Sequence, residues 1–538
     1  MTSYFLFILL LLWSVHAVQR SLYALYFWQL KEYRFDRVRG DPKSSLKVFI
    51  PKASFLMAVL LLFLPVSMLS NGPYSWNDSV SVTFYFLGAY SLLLLVKRQW
   101  RFPKFTKKAS LLLALFLLLL ILCVFIFADN FFLFIVLAEI AIPFITFLIV
   151  ELLQIPTFFV KKLIYKKAAD KIKNHKNLIS VAITGSYGKS STKEFLYAFL
   201  SQKYKVLKTE GNTNTEIGVA QTINNRLTRE HQIFIAEMGA YRKGEIKLLC
   251  DIVKPKIGVV TGVNEQHLAL FGSLENLLSA EGGEELAEAL PQDGKLILNG
   301  DNKYCLDLYK KAKNPRDENK KIYSIGNRSI NSDIWTESIT VNKNSLSFIA
   351  IDKTGELVNF EVKVLGGQNV QNILAAALTA KELGISIMES AQACKDITQE
   401  NAGMTLKNGK HGIYVIDSSY SANPDGVLAD IDYLSTFSGK RVVVMPCLIE
   451  LGGKSAEIHE KIGRKIAEVC DLALITTKEY FKEIEKGFND GQKKNGAKCL
   501  LCDKPQDIYS TITLLCKSGD AVLLEGRVPS SLINELAE

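Results

Sequence analysis

The sequence predicts an α-helical transmembrane region followed by two α/β domains. Three observations predict it. Apolar residues crowd into roughly the first 155 positions. From residue 178 a β-branched apolar run, a glycine-rich turn and a helical pattern follow one another. After about residue 408 strand–helix alternation resumes. A chain of 538 residues has room for two or three domains.

A spanning helix needs about 20 mostly apolar residues. Ala109–Ala128 is almost purely Leu, Phe, Ile and Ala, and Phe131–Leu153 follows, interrupted by Glu139 and Pro143. Ser54–Leu69 and Ser81–Val96 are shorter, and the segment from Tyr4 to about Trp28 carries His16 and Arg20. These make about five spans within 1–155. The first reads as a retained helix, because no small-residue cleavage site stands out and further spans follow. Glu139 is the acidic residue of the last span. It leaves two readings open, a functional intramembrane charge or a carboxylate turned into the bundle.

The net charge is +10. Much of it lies beside the apolar segments: Lys31, Arg34, Arg37, Arg39, Lys43 and Lys47, then Lys97, Arg98, Arg101, Lys104, Lys107 and Lys108. By the positive-inside rule the 29–53 and 97–108 loops are cytoplasmic and the uncharged-by-base 70–80 loop is outside. The amino terminus is then outside, and everything after the last span lies in the cytoplasm. A basic linker, 156–177, includes KKLIYKKAADKIK and reads as a solvated helix near anionic lipid heads. No stripe of basic and aromatic residues occurs in the soluble part, so nucleic acid is not an expected partner. Nine cysteines, mostly in apolar contexts, suggest reduced thiols. The Cys499–Cys502 C-x-x-C has no second pair for zinc.

Residues 178–400 read as a central nucleotide-binding domain. Leu178–Thr184 is a buried strand, followed by Gly185-Ser-Tyr-Gly188-Lys189-Ser190-Ser191-Thr192. A helix then places Phe195, Leu196 and Phe199 on one face. Strand, glycine turn and helix N-terminus together form an anion site. Lys189 adds a cation for phosphate, and Ser190 offers a hydroxyl to Mg²⁺. The spacing departs from the common phosphate loop, since Ile183 stands where a first glycine would be. The stretch Asp301–Leu365 alternates and reads as hairpin strands. Residues 401–538 form a second, Rossmann-like unit, with strands expected at Gly412–Ile416, Arg441–Met445, Leu472–Thr476 and Ala521–Leu524.

TGSYGKSST resembles the shortened phosphate loop of the Mur ligases, ATP-dependent peptidoglycan amino-acid ligases. Six further segments resemble that family in its order: GNTNTEIG (211–218), AEMGAYRKGEI (236–246), NEQHLALFGS (264–273), GGQNVQNILAAA (366–377), DSSYSANPD (417–425) and LIELGGKSAEIH (448–459). The first three of these six look like the branch that adds D-alanyl-D-alanine. The resemblance spans 178–538 and implies a P-loop-type central ATPase domain and a Rossmann-like C-terminal Mur ligase domain. It implies ATP and Mg²⁺ as cofactors. It implies Lys189, Glu237 and His267 as catalytic residues. Thr184, Gly185, Ser186, Gly188, Lys189, Ser190, Ser191, Asn369, Asn372 and Asp417 would bind nucleotide, and Ser190, Glu237, His267 and Glu281 would hold metal. Asn369 and Asn372 would lie near adenine, or serve as caps of the helix that follows.

The chain departs from the family's pattern at named places. Glu281 stands where a lysine, often carbamylated, would bind a second Mg²⁺, and so carries the negative charge directly. Gln368 precedes Asn369 in place of histidine. Met404 follows Gly403 in place of a phosphate-contacting arginine. Ser418 follows Asp417 in place of a second aspartate, and Pro446-Cys447-Leu448 replaces G-D-M. Membrane helices occupy the place of the family's UDP-gripping domain. The expected function is therefore a ligase at the bacterial cytoplasmic membrane, adding D-alanyl-D-alanine to a UDP-linked or lipid-linked muramoyl peptide. A membrane ligase for another amide polymer, such as poly-γ-glutamate, and a non-catalytic nucleotide-binding scaffold are the alternatives.

Overall fold

The computed structural model describes residues 3–31, 33–35, 38, 76–126, 131–326, 331–397, 403–419, 422–492 and 496–537. The expected span Ser54–Leu69, most of the 29–53 and 70–80 loops, the turn near Asp129 and Tyr420 lie outside them. The chain divides into two compact units, Met1–Lys161 and Lys162–Glu538.

In the first unit the described helices are α1 (Ser3–Leu30), α2 (Trp76–Val96), α3 (Lys107–Ile126) and the front of α4 (Phe131–Lys173). Their inward faces bury Leu9, Trp13, Trp28, Phe84, Phe116 and Ile135, while Phe86, Leu93, Leu118 and Leu148 stay exposed. By length and composition, two stretches among the described residues could cross a membrane, Phe7–Leu30 and Ala141–Lys173; Val80–Val96 is shorter. The helix opening at Phe131 does not end near Leu153. It passes through Pro156 and the lysine-rich segment to Lys173, whose Lys and Ala residues are strong helix formers. Glu139 is turned inward and 1% exposed. It meets Arg20 and His16 Nε2 (3.2 Å), and His16 Nδ1 meets Ser91 Oγ at 2.8 Å. A polar network thus pins α1, α2 and α4 where apolar contacts alone would let them slide.

The second unit contains two sheets. The larger has nine strands in the order β2-β3-β1-β4-β5-β6-β7-β8-β9. They are β1 (Ile179–Thr184), β2 (Val206–Lys208), β3 (Ile233–Glu237), β4 (Ile257–Val260), β5 (Lys295–Asn299), β6 (Lys320–Ser324), β7 (Ile334–Val341), β8 (Leu346–Asp352) and β9 (Leu357–Val362). Pairing is parallel from β2 through β7, and β7, β8 and β9 are antiparallel. The alternating hairpin strands expected between 301 and 365 therefore extend the parallel sheet. β1, β3 and β4 are apolar runs covered on both faces, as parallel strands must be. On one face, helices α5 (Lys189–Ser201) and α7 (Asn369–Lys381) bury Phe195, Phe199, Ile373 and Leu374. On the other, α6 (Glu216–Arg226) contributes Val219, Ala220 and Ile223.

The smaller sheet runs β10-β11-β15-β12-β13-β14, comprising β10 (Thr405–Asn408), β11 (Tyr414–Ser418), β12 (Arg441–Met445), β13 (Leu472–Ile475), β14 (Lys498–Leu501) and β15 (Ala521–Glu525). Only β10 is antiparallel to its neighbour. Helix α8 (Pro424–Leu434) opens on an Asn423 cap with Pro424 in its first turn. Cys499 lies on β14, and it and Cys502 are free thiols.

Candidate nucleotide and metal site

The strand order of the larger sheet reverses at β1, which lies between β3 and β4. Such a reversal opens a crevice at the carboxyl ends of the strands. β1 delivers Gly185–Gly188 into it, and α5 begins at Lys189. Gly188 caps that helix in the left-handed region (φ 76°) and supplies no side-chain hydrogen bond. The first-turn N–H groups of a 13-residue helix are thereby free to meet an anion. A Cβ at Gly188 would also collide with Asn372 Oδ1, so both the turn and the neighbouring helix demand glycine.

The loop is tied down from below. Ser186 N donates to Gly262 O at 2.7 Å, and Thr261 N donates to Thr184 O at 3.0 Å. Thr184 Oγ1 is buried without a hydrogen-bond partner. The Lys189 ammonium lies over the loop, donating to Gly185 O at 2.5 Å and Ser186 O at 3.4 Å. Ser190 and Ser191 follow on the half-buried first turn.

Two carboxylates flank the loop. Glu237 ends β3 and is 1% exposed; Ser190 Oγ donates to its Oε2 at 2.9 Å. Glu281 is 1% exposed and accepts from Ser186 Oγ at 3.0 Å through Oε2. Its other oxygen lies 2.9 Å from His267 Nδ1. A carboxylate can only accept there, so Nδ1 is the donor, and in the neutral ring Nε2 keeps its lone pair. Among the described residues no three His, Cys, Asp or Glu side chains are placed to hold a metal alone. The donors fall instead into two pairs, Ser190–Glu237 and His267–Glu281. Hard oxygen donors on both sides of a phosphate loop suit Mg²⁺, which keeps several waters and takes the rest of its shell from phosphate.

Asn369 opens α7 rather than capping it, and Gln368 at the cap position makes no capping bond. Asn369 Nδ2 donates to Leu365 O at 2.8 Å and Asn372 Nδ2 to Asn369 Oδ1 at 3.1 Å. The two amides form a ladder leading to Gly188. Asp417 stands apart from these groups, paired with Lys407 (2.7 Å) and Ser419 Oγ (2.6 Å). Although burial raises its pKa, these partners bring it below the usual carboxylate range.

Several residues of the site were not singled out from sequence. Lys193, 0% exposed, is 2.8 Å from Glu237, and Asn214 Nδ2 donates to Glu237 Oε1 at 3.2 Å. Lys193 falls four residues after Lys189, among the inward positions of α5, and that spacing was its one available signal. Asn264 Nδ2 donates to Asn423 Oδ1 (3.2 Å) and Asp425 Oδ2 (2.9 Å), and Gln266 Nε2 to Ala422 O (2.9 Å). Ala269 N donates to Glu450 O at 3.0 Å. The NEQHLALFGS segment thus meets both the SANPD and the ELGG segments. His459 of the last motif is structural: its Nε2 accepts from Leu448 N at 2.9 Å and its Nδ1 donates to Ser455 O at 2.6 Å. Burial lowers its pKa and keeps the ring neutral. Met404 is a core residue, 3% exposed.

Beside this junction lies a buried acid pair. Gln368 Nε2 donates to Asp430 Oδ1 at 2.9 Å, and Ser418 Oγ to Asp430 Oδ2 at 2.5 Å. Glu525, 1% exposed, shares a hydrogen bond with Asp430. Burial raises both carboxyl pKa values, and the Asp430 charge raises that of Glu525 further, well above the usual range. A raised carboxyl pKa favours folding fully below the unfolded value, near 4. The benefit is lost as pH rises through the folded value. Glu525→Gln, with no proton to lose, is expected to raise the melting temperature relative to wild type at pH 8.5 and to change it little at pH 4.5. The gain is about 3 °C for each kcal/mol recovered. Equal shifts at both pH values would contradict a raised Glu525 pKa.

Residues 183–380 match the Mur ligase middle domain and residues 404–528 the Mur ligase glutamate ligase domain. The Escherichia coli UDP-N-acetylmuramoyl-tripeptide–D-alanyl-D-alanine ligase is 31% identical over 283 residues, 53% of this chain and 61% of that one. The chain spans about 60% of the length of the first curated relatives it matches. The crystal structure of MurF from Acinetobacter baumannii superposes with a TM-score of 0.61 at 24% identity, covering 70% of this chain and 80% of that one, a likeness of fold. MurF ligase from Thermotoga maritima in complex with ADP gives a TM-score of 0.58 at 26% identity, covering 70% and 84%. The two domain matches, to models of one family, together occupy more than half of the chain, and the chain belongs to the Mur ligase family.

Proposed function

We propose that this chain is a membrane-anchored, ATP-dependent acid–amino-acid ligase that adds D-alanyl-D-alanine to a muramoyl peptide. Residues 178–400 serve as the ATP-binding domain and 401–538 as the C-terminal domain. The observation that carries the reading is the phosphate loop at the β1 switch point, flanked by the Ser190–Glu237 and His267–Glu281 pairs and bordered by motifs of the C-terminal domain. The relatives' names support the substrate class.

In such a reaction the terminal phosphoryl group of ATP passes to a carboxylate oxygen, giving an acyl phosphate and ADP. The amine nitrogen then attacks the acyl carbon, phosphate leaves, and the amine loses a proton. Charge must be neutralised and two substrates aligned. Lys189 and the first-turn amides of α5 hold the phosphates. Asn369 and Asn372 border the adenine, and Asp417 sits on the C-terminal side of the nucleotide. Glu237, Ser190, His267 and Glu281 would hold Mg²⁺, which when bound draws charge from the phosphate oxygens.

The apolar stretches Phe7–Leu30 and Ala141–Lys173 support an anchor in the cytoplasmic membrane, with the ligase domains in the cytoplasm. An anchor raises the effective concentration of a lipid-linked acceptor. Product analysis by mass spectrometry tests both points. Detergent-purified protein, given ATP, Mg²⁺ and D-alanyl-D-alanine, should extend lipid-linked muramoyl tripeptide. Full activity on UDP-linked tripeptide with none on the lipid-linked form would reject the acceptor assignment. Extension of neither would favour a nucleotide-binding scaffold, a reading that the burial of Met404 in the core supports.

A further inference from the structure

The Lys193 ammonium group has no exposure to solvent. Burial of an ammonium is tolerated when it is paired and hydrogen-bonded. Its Nζ donates to Glu237 Oε2 at 2.8 Å and to Gly211 O, and Glu194 Oε1 lies 3.9 Å away. Glu237 therefore accepts from three side chains, Ser190, Lys193 and Asn214. Its backbone N–H donates to Thr209 Oγ1 at 3.1 Å. The segment from Thr209 to Asn214 is thus stitched to one residue: Thr209 bonds the Glu237 backbone N–H, Asn214 bonds its carboxylate directly, and Gly211 reaches that carboxylate through Lys193.

We infer that Lys193 is a positioning residue that weakens Mg²⁺ binding at Glu237 while holding the Thr209–Asn214 segment against the phosphate loop. The inference rests on the reading of Glu237 as a metal-binding carboxylate. A permanent cation on Oε2 competes with a divalent ion for the same charge, and at this burial the competition is little screened. Lys193 so sets Mg²⁺ affinity low enough for the ion to come and go with nucleotide, and it fixes the carboxylate rotamer in between.

The test is Mg²⁺ titration into the full-length, detergent-purified protein with ADP present, followed by calorimetry, a readout that needs no turnover. Lys193→Gln removes the charge but keeps hydrogen-bond donors. It is expected to lower the half-saturating Mg²⁺ concentration roughly tenfold. Lys193→Arg keeps the charge and is expected to leave that concentration within about twofold of wild type. An unchanged curve for Lys193→Gln, or equal shifts in both variants, would overturn the inference, since a merely structural lysine predicts no gain in affinity. Glu237→Gln separates the two levels of the argument. If it weakens Mg²⁺ binding while Lys193→Gln changes nothing, only the role of Lys193 fails. If it leaves the wild-type curve, the assignment of Glu237 to the metal fails first.

Discussion

Lys189→Ala is expected to cut substrate-dependent phosphate release about 10²- to 10³-fold, the loss typical of one charge-stabilising group at a reacting centre. Lys189 is the cation placed directly over the loop, within reach of the Gly185 and Ser186 carbonyls. Those carbonyls leave the ammonium free to turn toward phosphate, because Lys189 is partly exposed to solvent. Removing it deletes a charge and no core contact, so the melting temperature should move little. Lys193 cannot substitute, since it is buried and committed to Glu237 and Gly211. A variant that keeps wild-type phosphate release would remove the loop from the mechanism. A variant that loses it only by unfolding would show in the melting curve.

Glu281→Ala is the second large effect. The carboxylate joins the phosphate loop to His267, through Ser186 at 3.0 Å and His267 at 2.9 Å. Its loss leaves the buried Ser186 hydroxyl without that acceptor and lets the imidazole turn or change tautomer. Loss of a group that ligates or orients metal ligands costs about 10–100-fold in affinity or activity. Activity at saturating ATP should fall by that amount, with a higher Mg²⁺ requirement. An active Glu281→Ala variant with unchanged Mg²⁺ dependence would dismiss the idea that this glutamate supplies charge where the family uses a modified lysine.

Much of the ligase part could be read locally. The β-branched run before Gly185, the glycine at 188 and the apolar stripe of Phe195, Leu196 and Phe199 each encode one local choice, and all three agree. Glu237 at a strand end follows from the continuous apolar run Ile233–Ala236, and the hairpin strands β7–β9 follow from period-two alternation. What stayed illegible depends on long-range contact. Lys193 reads as a solvated helix lysine until β3 brings Glu237 beside it. The bonds from Asn264 to Asn423 and Asp425 join residues about 160 positions apart, and no local pattern encodes such a pairing. Met404 and His459 were motif positions whose burial could be learned only from packing. The lysine-rich stretch read as a linker helix is helical and continuous with the last apolar segment, because apolarity stops near Val160 while helix propensity does not. Glu139 is turned inward and paired with Arg20 and His16, partners that lie more than 100 positions away in sequence.

The central claim is that this site makes an amide bond at the expense of ATP. Phosphate release by the detergent-purified protein, measured with ATP and Mg²⁺ in the presence of neither, either or both of a muramoyl tripeptide and D-alanyl-D-alanine, tests it most directly. The account predicts release only when both substrates are present, and its disappearance in Lys189→Ala. Nucleotide binding with no release for any pairing of UDP-linked or lipid-linked acceptor with the dipeptide would contradict it.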